Sequence, residues 1–63
     1  MNWIKCKQHM PIVHMPIIFY NQTTQCAISG YMNALLFFID YSEGNEESLD
    51  NITHWMPFEK PKD

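Results

Sequence analysis

The sequence lacks arginine altogether and has only four lysines, so positive charge is scarce. The lysines are at positions 5, 7, 60 and 62, and the segment from Gln8 to Glu59 therefore carries carboxylates without lysine or arginine. Proteins that bind nucleic acid need cationic side chains to neutralise phosphates. With a formal net charge of −3, we expect that the chain does not bind nucleic acid directly.

A long apolar run is also missing. The longest such run, from Ala34 to Ile39, falls far short of the roughly 20 residues that a membrane-spanning helix requires. The polar residues Gln8 and His9 stand where a secretory signal would continue with an apolar segment. These features predict a soluble, cytoplasmic protein with no membrane contact, in which Cys6 and Cys26 are reduced thiols.

The chain has 63 residues, of which 46% are apolar, and this allows one small domain. A chain of this size buries only about 60% of its unfolded surface, so its stability is marginal without a disulfide, a metal or a partner subunit. We assign residues 1–59 to a single domain and residues 60–63 to a frayed tail.

Residue patterns favour an all-β domain with at most one short helix. Apolar and polar residues alternate in Trp3 to Lys7, and β-branched or aromatic residues are concentrated in four later segments. The predicted fold is a small twisted antiparallel sheet of four to five strands in chain order, of which an SH3-like sheet is one form. The predicted strands are 3–7, 17–20, 25–31, 35–39 and 52–56.

Three connecting segments differ in composition. Pro11 and Pro16 bracket an apolar stretch that we expect to be an extended or irregular loop that packs as an arm, because proline disfavours helix at the preceding residue. Asn21 to Thr24 is a polar cluster typical of a hairpin turn. Ser42 to Asp50 holds four of the seven acidic residues, and it predicts an exposed loop with one helical turn from Glu46 to Leu49.

Two motifs resemble a family of small phage and prophage proteins of unknown function. These are Trp3-Ile4 followed by Met10-Pro11, and the closing run Thr53 to Phe58, which are similar to the family's "WI…RLP" and "THWMPLPEPP" patterns. The aliphatic strand of the family would be Ile17 to Tyr20, and its glycine-aromatic pair Gly30-Tyr31. Here His9-Met10 replaces the arginine-leucine pair. The resemblance implies a phage origin and a host-cell location, and it assigns no role to any residue.

Metal and catalytic sites are weakly supported. Cys6-x-x-His9 is one closely spaced ligand pair, whereas Cys26 and His54 lie far apart in the sequence and do not form the second pair typical of structural zinc. A nucleophile could combine Cys6 or Cys26 with His54, but there is no glycine-rich phosphate loop or other group to support it. We therefore expect no enzyme activity, no metal and no cofactor.

The preferred hypothesis is an acidic interaction protein that binds and inhibits a host protein, such as an antiviral defence complex or a polymerase. Carboxylates can compete with phosphates for a basic surface, and exposed tryptophans are frequent binding hot spots. We expect Trp3 and Trp55 to lie close together on neighbouring strands. The candidate binding residues are Asp40, Glu43, Glu46, Glu47, Asp50, Trp3 and Trp55.

The alternative hypothesis is a small-ligand or nucleotide-binding protein that sequesters its ligand. Its site would consist of aromatic side chains at a subunit interface. A phosphate group would need cations, and the few lysines would have to cluster for this function.

A homodimer is also expected. Leu35 to Ile39 is apolar on both faces of the predicted strand, so one face needs a cover from outside the sheet. Leu36, Phe37 and Phe38 are the candidate interface residues.

Overall fold

The computed structural model describes residues 2–58, which form one six-stranded antiparallel sheet without a helix. The predicted frayed tail at 60–63 lies outside the described residues. Among residues 2–58, no helix is long and apolar enough to cross a membrane. The strands are β1 (Ile4–Lys5), β2 (Ile17–Asn21), β3 (Cys26–Met32), β4 (Phe38–Asp40), β5 (Glu46–Glu47) and β6 (Ile52–Pro57).

The all-β antiparallel class is confirmed, but the sheet has six strands and its order differs from the order along the chain. The strands are arranged β1-β6-β2-β3-β4-β5, so the last strand is inserted between the first two. Ile4 is paired with Trp55 on one side of β6, and Phe19 is paired with Trp55 on the other. β1 and β6 are neighbours, as expected, whereas the predicted chain order is wrong.

Three predicted elements have different bounds. The first strand, expected over residues 3–7, is confined to Ile4–Lys5, because residues 6–8 form a turn in which the Gln8 amide bonds to the Lys5 carbonyl at 3.0 Å. The strand expected from Leu35 begins only at Phe38, because residues 33–37 form a tight turn in which the Asn33 amide bonds to the Phe37 carbonyl at 2.8 Å. The helical turn expected from Glu46 to Leu49 is absent, and Glu46–Glu47 forms the edge strand β5. Pairing of these two residues with β4 satisfies backbone groups that a single helical turn would leave unpaired.

Three turns begin with an asparagine or aspartate that accepts backbone hydrogen bonds. Asn21 Oδ1 accepts from the amides of Thr23 and Thr24 at 2.9 and 3.2 Å. The side-chain oxygen of Asn33 does the same for two amides in the β3–β4 turn, and that of Asp40 for two amides in the β4–β5 turn. Side chains of this kind favour turns because they replace the ladder partners that the backbone loses at a strand end.

One face of the sheet, here called the core face, carries the buried side chains. Strand alternation places Ile17, Phe19 and their cross-strand neighbours on this face. Gly30 also belongs to it, since a Cβ there would collide with the Ile39 carbonyl and the Phe19 ring. The buried apolar residues are Cys6, Ile17, Phe19, Met32, Phe38, Ile52 and Trp55.

The arm from Cys6 to Pro16 covers part of this core face. The Trp55 indole donates a 2.7 Å hydrogen bond to the His9 carbonyl, Pro11 is buried and Met15 packs against the core. The arm is irregular rather than extended, because residues 12–15 form a turn closed by a 3.1 Å bond from the Met15 amide to the Ile12 carbonyl. It acts as the cover that a single sheet would otherwise lack.

Candidate functional site: an apolar end, an acidic edge and an aromatic corner

The two ends of the sheet have different surfaces. Residues 8–39 contain no Lys, Arg, Asp or Glu, and this stretch includes the arm and the β3–β4 turn, which lie at the same end. A 2.8 Å bond from the His14 amide to the Met32 carbonyl joins the arm to the end of β3 just before that turn. We call this end the apolar end, defined by five exposed side chains: Ile12, Val13, Leu35, Leu36 and Phe37.

Exposure at the apolar end is large for residues of this type. Leu35 is 76% exposed and Ile12 is 71% exposed. Exposed apolar side chains scattered singly need no explanation, but a group of them on a small domain is typical of an interaction surface. This end therefore has the composition of a binding surface.

The backbone at the apolar end is unusual at Leu36, whose φ is 67°. This left-handed region favours glycine or asparagine, because the Cβ of other residues crowds the following carbonyl. His14, in the adjoining arm, has a φ of 69°. At Leu36 the turn thus carries a large apolar side chain where glycine would suit the backbone better.

The sequence-predicted interface residues divide between surface and core. Leu36 and Phe37 are exposed at the apolar end. Phe38 is fully buried within the chain and stacks at 5.2 Å between ring centroids against Phe19. Its side chain holds the core together and is not available to a second subunit.

Among the acidic residues that were predicted to bind a partner, Asp40 has the clearest structural role. Its Oδ1 accepts hydrogen bonds from the amides of Glu43 and Gly44 and from the Ser42 hydroxyl, and the residue is 8% exposed. The Glu43 amide, with smaller contributions from the other donors, lowers the pKa of Asp40 below its ordinary value, although burial opposes the shift. The carboxylate is therefore engaged in holding the turn.

The remaining acidic candidates lie in two places: three glutamates belong to the same β4–β5 hairpin as Asp40, and Asp50 is separate from them. Glu43 is exposed in the β4–β5 turn and accepts from the Asn45 amide at 2.8 Å, while Glu46 and Glu47 lie on the edge strand β5. We call these three glutamates the acidic edge. Asp50 lies elsewhere, in a groove next to β1 and β6.

Trp3 and Trp55 are on adjacent strands but on opposite faces of the sheet. Trp3 precedes Ile4, which is paired with Trp55, and side chains alternate between faces along a strand. The Trp3 ring lies against Tyr20 in an edge-to-face arrangement with centroids 6.3 Å apart. The prediction that the two tryptophans form a pair is wrong, because the Trp55 ring belongs to the core face and the Trp3 ring to the opposite, open face.

Trp3, Tyr20 and His54 line a cavity of about 250 Å³ on this open face, which we call the aromatic corner. Residues Lys5, His54 and Tyr20 are paired in one row across β1, β6 and β2. His54 also lines an adjoining groove of about 660 Å³, together with Lys5, Lys7, Gln22 and Asp50. Aromatic and cationic groups therefore meet at one end of β1.

The two thiols have different surroundings. Cys6 is buried on the core face, and burial raises the pKa of its thiol. Cys26 is exposed next to the β2–β3 turn, where its Sγ lies 3.4 Å from the Thr24 carbonyl oxygen. Among residues 2–58, no three His, Cys, Asp or Glu side chains are grouped as metal ligands would be.

A comparison with protein families matches residues 2–62 to the family described as Protein of unknown function (DUF551). The chain belongs to this family. No curated protein and no solved structure gave a match. Any function of this DUF551 chain must therefore be argued from its own surface.

The sequence reasoning missed the aromatic corner of this DUF551 chain. Tyr20 was assigned to a strand, His54 was considered only as a metal ligand or a catalytic base, and the lysines were expected to matter only if they clustered. The available signal was the alternation that places Trp3 and Lys5 on one face of the first strand, whereas Lys7 lies in the turn that follows β1. The sequence does not predict that β6 brings His54 next to Lys5, because β6 is distant from β1 in the sequence.

Proposed function

We propose that this DUF551 chain is a phage- or prophage-encoded cytoplasmic interaction protein that binds and inhibits a host protein, and that it is not an enzyme. The contact surface would be the apolar end, with the acidic edge as its charged rim. The observation that carries the proposal is the group of exposed Leu35, Leu36 and Phe37 at the tip of a well-formed turn. The phage origin rests on the sequence resemblance.

The energetic argument concerns what a partner would gain. Full burial of a leucine, isoleucine or phenylalanine side chain stabilises a complex by about 1.5–3 kcal/mol. The apolar end offers several such side chains on two adjoining segments, the arm and the β3–β4 turn. This composition fits the apolar centre of a protein interface, in which charged residues are depleted.

Leu36 gives the second argument. Its left-handed backbone conformation would be less strained with glycine, yet the residue is a half-exposed leucine. A side chain that opposes the local backbone preference and contributes little burial is best explained by a contact outside the chain.

The negative charge of the acidic edge narrows the class of proteins that could bind this surface. Residues Glu43, Glu46 and Glu47 form the acidic edge, and no lysine lies between Gln8 and Glu59. The partner surface should therefore combine an apolar pocket with nearby lysine or arginine side chains. A basic channel of a host defence complex or polymerase has this character.

Self-association is the competing use of the same end. The homodimer expected from the sequence would employ Leu36 and Phe37, which are exposed there. We propose that a dimer formed through these residues dissociates when the host protein binds. Sedimentation velocity with and without the captured protein measures this competition directly.

The experiment is affinity capture from host lysate by the full chain, followed by mass spectrometry and an activity assay of the captured protein. Phe37→Asp should abolish capture, whereas Leu49→Asp, which changes an equally exposed apolar residue in the groove beside Asp50, should not. Leu36→Gly should weaken capture while thermal stability stays the same or rises. Equal capture by wild type and Phe37→Asp would refute the proposal, as would full activity of the captured protein.

A further inference from the structure

We infer that the aromatic corner and the adjoining groove form a binding site for a nucleoside monophosphate. This site is separate from the apolar end and does not depend on the proposed function. The base would stack against Trp3 and Tyr20, and the phosphate would bind Lys5 and Lys7.

The aromatic part is already shaped to receive a planar ring. Trp3 and Tyr20 are edge to face rather than stacked, with centroids 6.3 Å apart, and together with His54 they line an open surface depression. Such an arrangement leaves part of an aromatic face open. Nucleobases stack on aromatic side chains irrespective of base identity, because every base has a π-face.

The cationic part adjoins the aromatic part through His54, which lines both cavities. Lys5 and Lys7 line the larger one, and they are the only lysines among the described residues. Lys5 lies two strands away from Tyr20 in the same cross-strand row, or about 10 Å at the usual strand spacing. A nucleotide extends over a comparable distance between its base and its phosphate.

The charge balance in the groove favours an anion despite the acidic chain. Two lysines face one carboxylate, that of Asp50, and the polar groups of Gln22 and Thr53 line the same space. Lysine is a common phosphate ligand in proteins. Asp50 is the acceptor that the ribose hydroxyl groups would need.

His54 is held in place for this task. Its Nδ1 lies 2.8 Å from Thr53 Oγ1, and its ring is half-buried between the two cavities. This hydrogen bond restrains the ring and leaves Nε2 for a ligand. In the bound state Nε2 would contact the sugar or the phosphate.

Isothermal titration calorimetry of the full chain with AMP, adenosine and inorganic phosphate tests the site. AMP should bind at least tenfold more tightly than adenosine or phosphate, and salt should weaken AMP binding but not adenosine binding. Lys7→Ala and Lys5→Ala should each lower AMP affinity several-fold without changing adenosine affinity. Trp3→Ala should lower both by about tenfold.

Three further measurements separate the possible outcomes. Tyr41→Ala, an exposed aromatic substitution away from the site, should leave AMP affinity unchanged, and circular dichroism should show all variants folded. Phe37→Asp should also bind AMP normally, which separates this site from host-protein capture. Absence of AMP binding at millimolar concentration, or AMP binding that the Lys7→Ala and Trp3→Ala variants retain in full, would overturn the inference.

Discussion

The two ends of the sheet use the same turn chemistry but present different surfaces. At the apolar end, the side-chain oxygen of Asn33 accepts hydrogen bonds from the backbone amides of Leu35 and Phe37. The turn that Asn33 begins also contains Leu36. At the other end, here called the polar end, Asp40 accepts two amides in a turn that contains serine, glutamate and glycine. Because the hydrogen bonding is alike, turn formation does not explain the exposed apolar residues. The contact surface proposed for the apolar end would account for this difference.

The largest expected effect distinguishes two neighbouring phenylalanines. Phe38 is 0% exposed and Phe37 is 38% exposed. Phe38→Ala should lower the free energy of unfolding by about 3–5 kcal/mol, because it leaves a cavity beside Phe19. Phe37→Ala should lower it by less than about 1 kcal/mol. Urea denaturation measures both, and equal losses would show that the apolar end belongs to the core.

The next effect tests whether the two ends share one turn mechanism. Asn21→Ala at the polar end and Asn33→Ala at the apolar end each remove an oxygen that accepts two amides. Each should cost about 1–3 kcal/mol of stability, with the larger loss at the buried Asn21. Asn45→Ala, whose amide bonds only to exposed Glu43, is the control and should cost less than about 0.5 kcal/mol. A loss at Asn21 without one at Asn33 would contradict the shared mechanism.

A smaller effect concerns how the contribution of Asp40 to stability depends on pH. Backbone donors lower the pKa of Asp40 in the folded protein, so its carboxylate stabilises the fold above the ordinary value of about 4. This contribution is lost as the pH falls from that value through the lower folded pKa. Asp40→Asn should therefore be less stable than wild type at pH 6, and the difference should shrink at pH 3. A constant difference at both pH values in urea denaturation would contradict this account.

The smallest effect on stability is expected at the two thiols near the polar end. Their rates of reaction with a thiol reagent should nevertheless differ clearly. Cys26 is exposed and should react quickly with a thiol reagent in the native protein. Cys6 is buried with a raised pKa and should react only when the structure opens. Cys26→Ser leaves a single thiol for this measurement. Rapid reaction of Cys6 in that variant would show that its side chain is not held in the core.

Local structure was largely predictable from the sequence. Ile17 to Tyr20 and Cys26 to Tyr31 are strands joined at the polar Asn21 turn, because β-branched residues and turn-forming side chains act over a few positions. The boundary at Phe38 was missed because an apolar run alone does not distinguish strand from turn. Only the Asn33 side chain, which accepts from Leu35 and Phe37, reveals the turn.

The arrangement of strands was not predictable in the same way. Nothing in Ile52 to Pro57 states that this strand lies between β1 and β2, since pairing between distant segments depends on the whole core. Because the sequence does not specify pairing between distant segments, the predictions for the candidate sites contained errors as well. Trp3 and Trp55 were placed on neighbouring strands correctly, but the register that puts them on opposite faces follows from the Ile4 to Trp55 pairing.

The insertion of β6 between β1 and β2 also governs how the protein can be made. The β2–β3 and β3–β4 hairpins join nearby residues and can form as the chain leaves the ribosome. The edge of β2 stays unpaired until Ile52 to Pro57 has been synthesised. During that interval an Ile-Ile-Phe-Tyr strand with a free edge is open to pairing with other nascent chains. Rapid translation of the last segment would thus protect the yield of this protein.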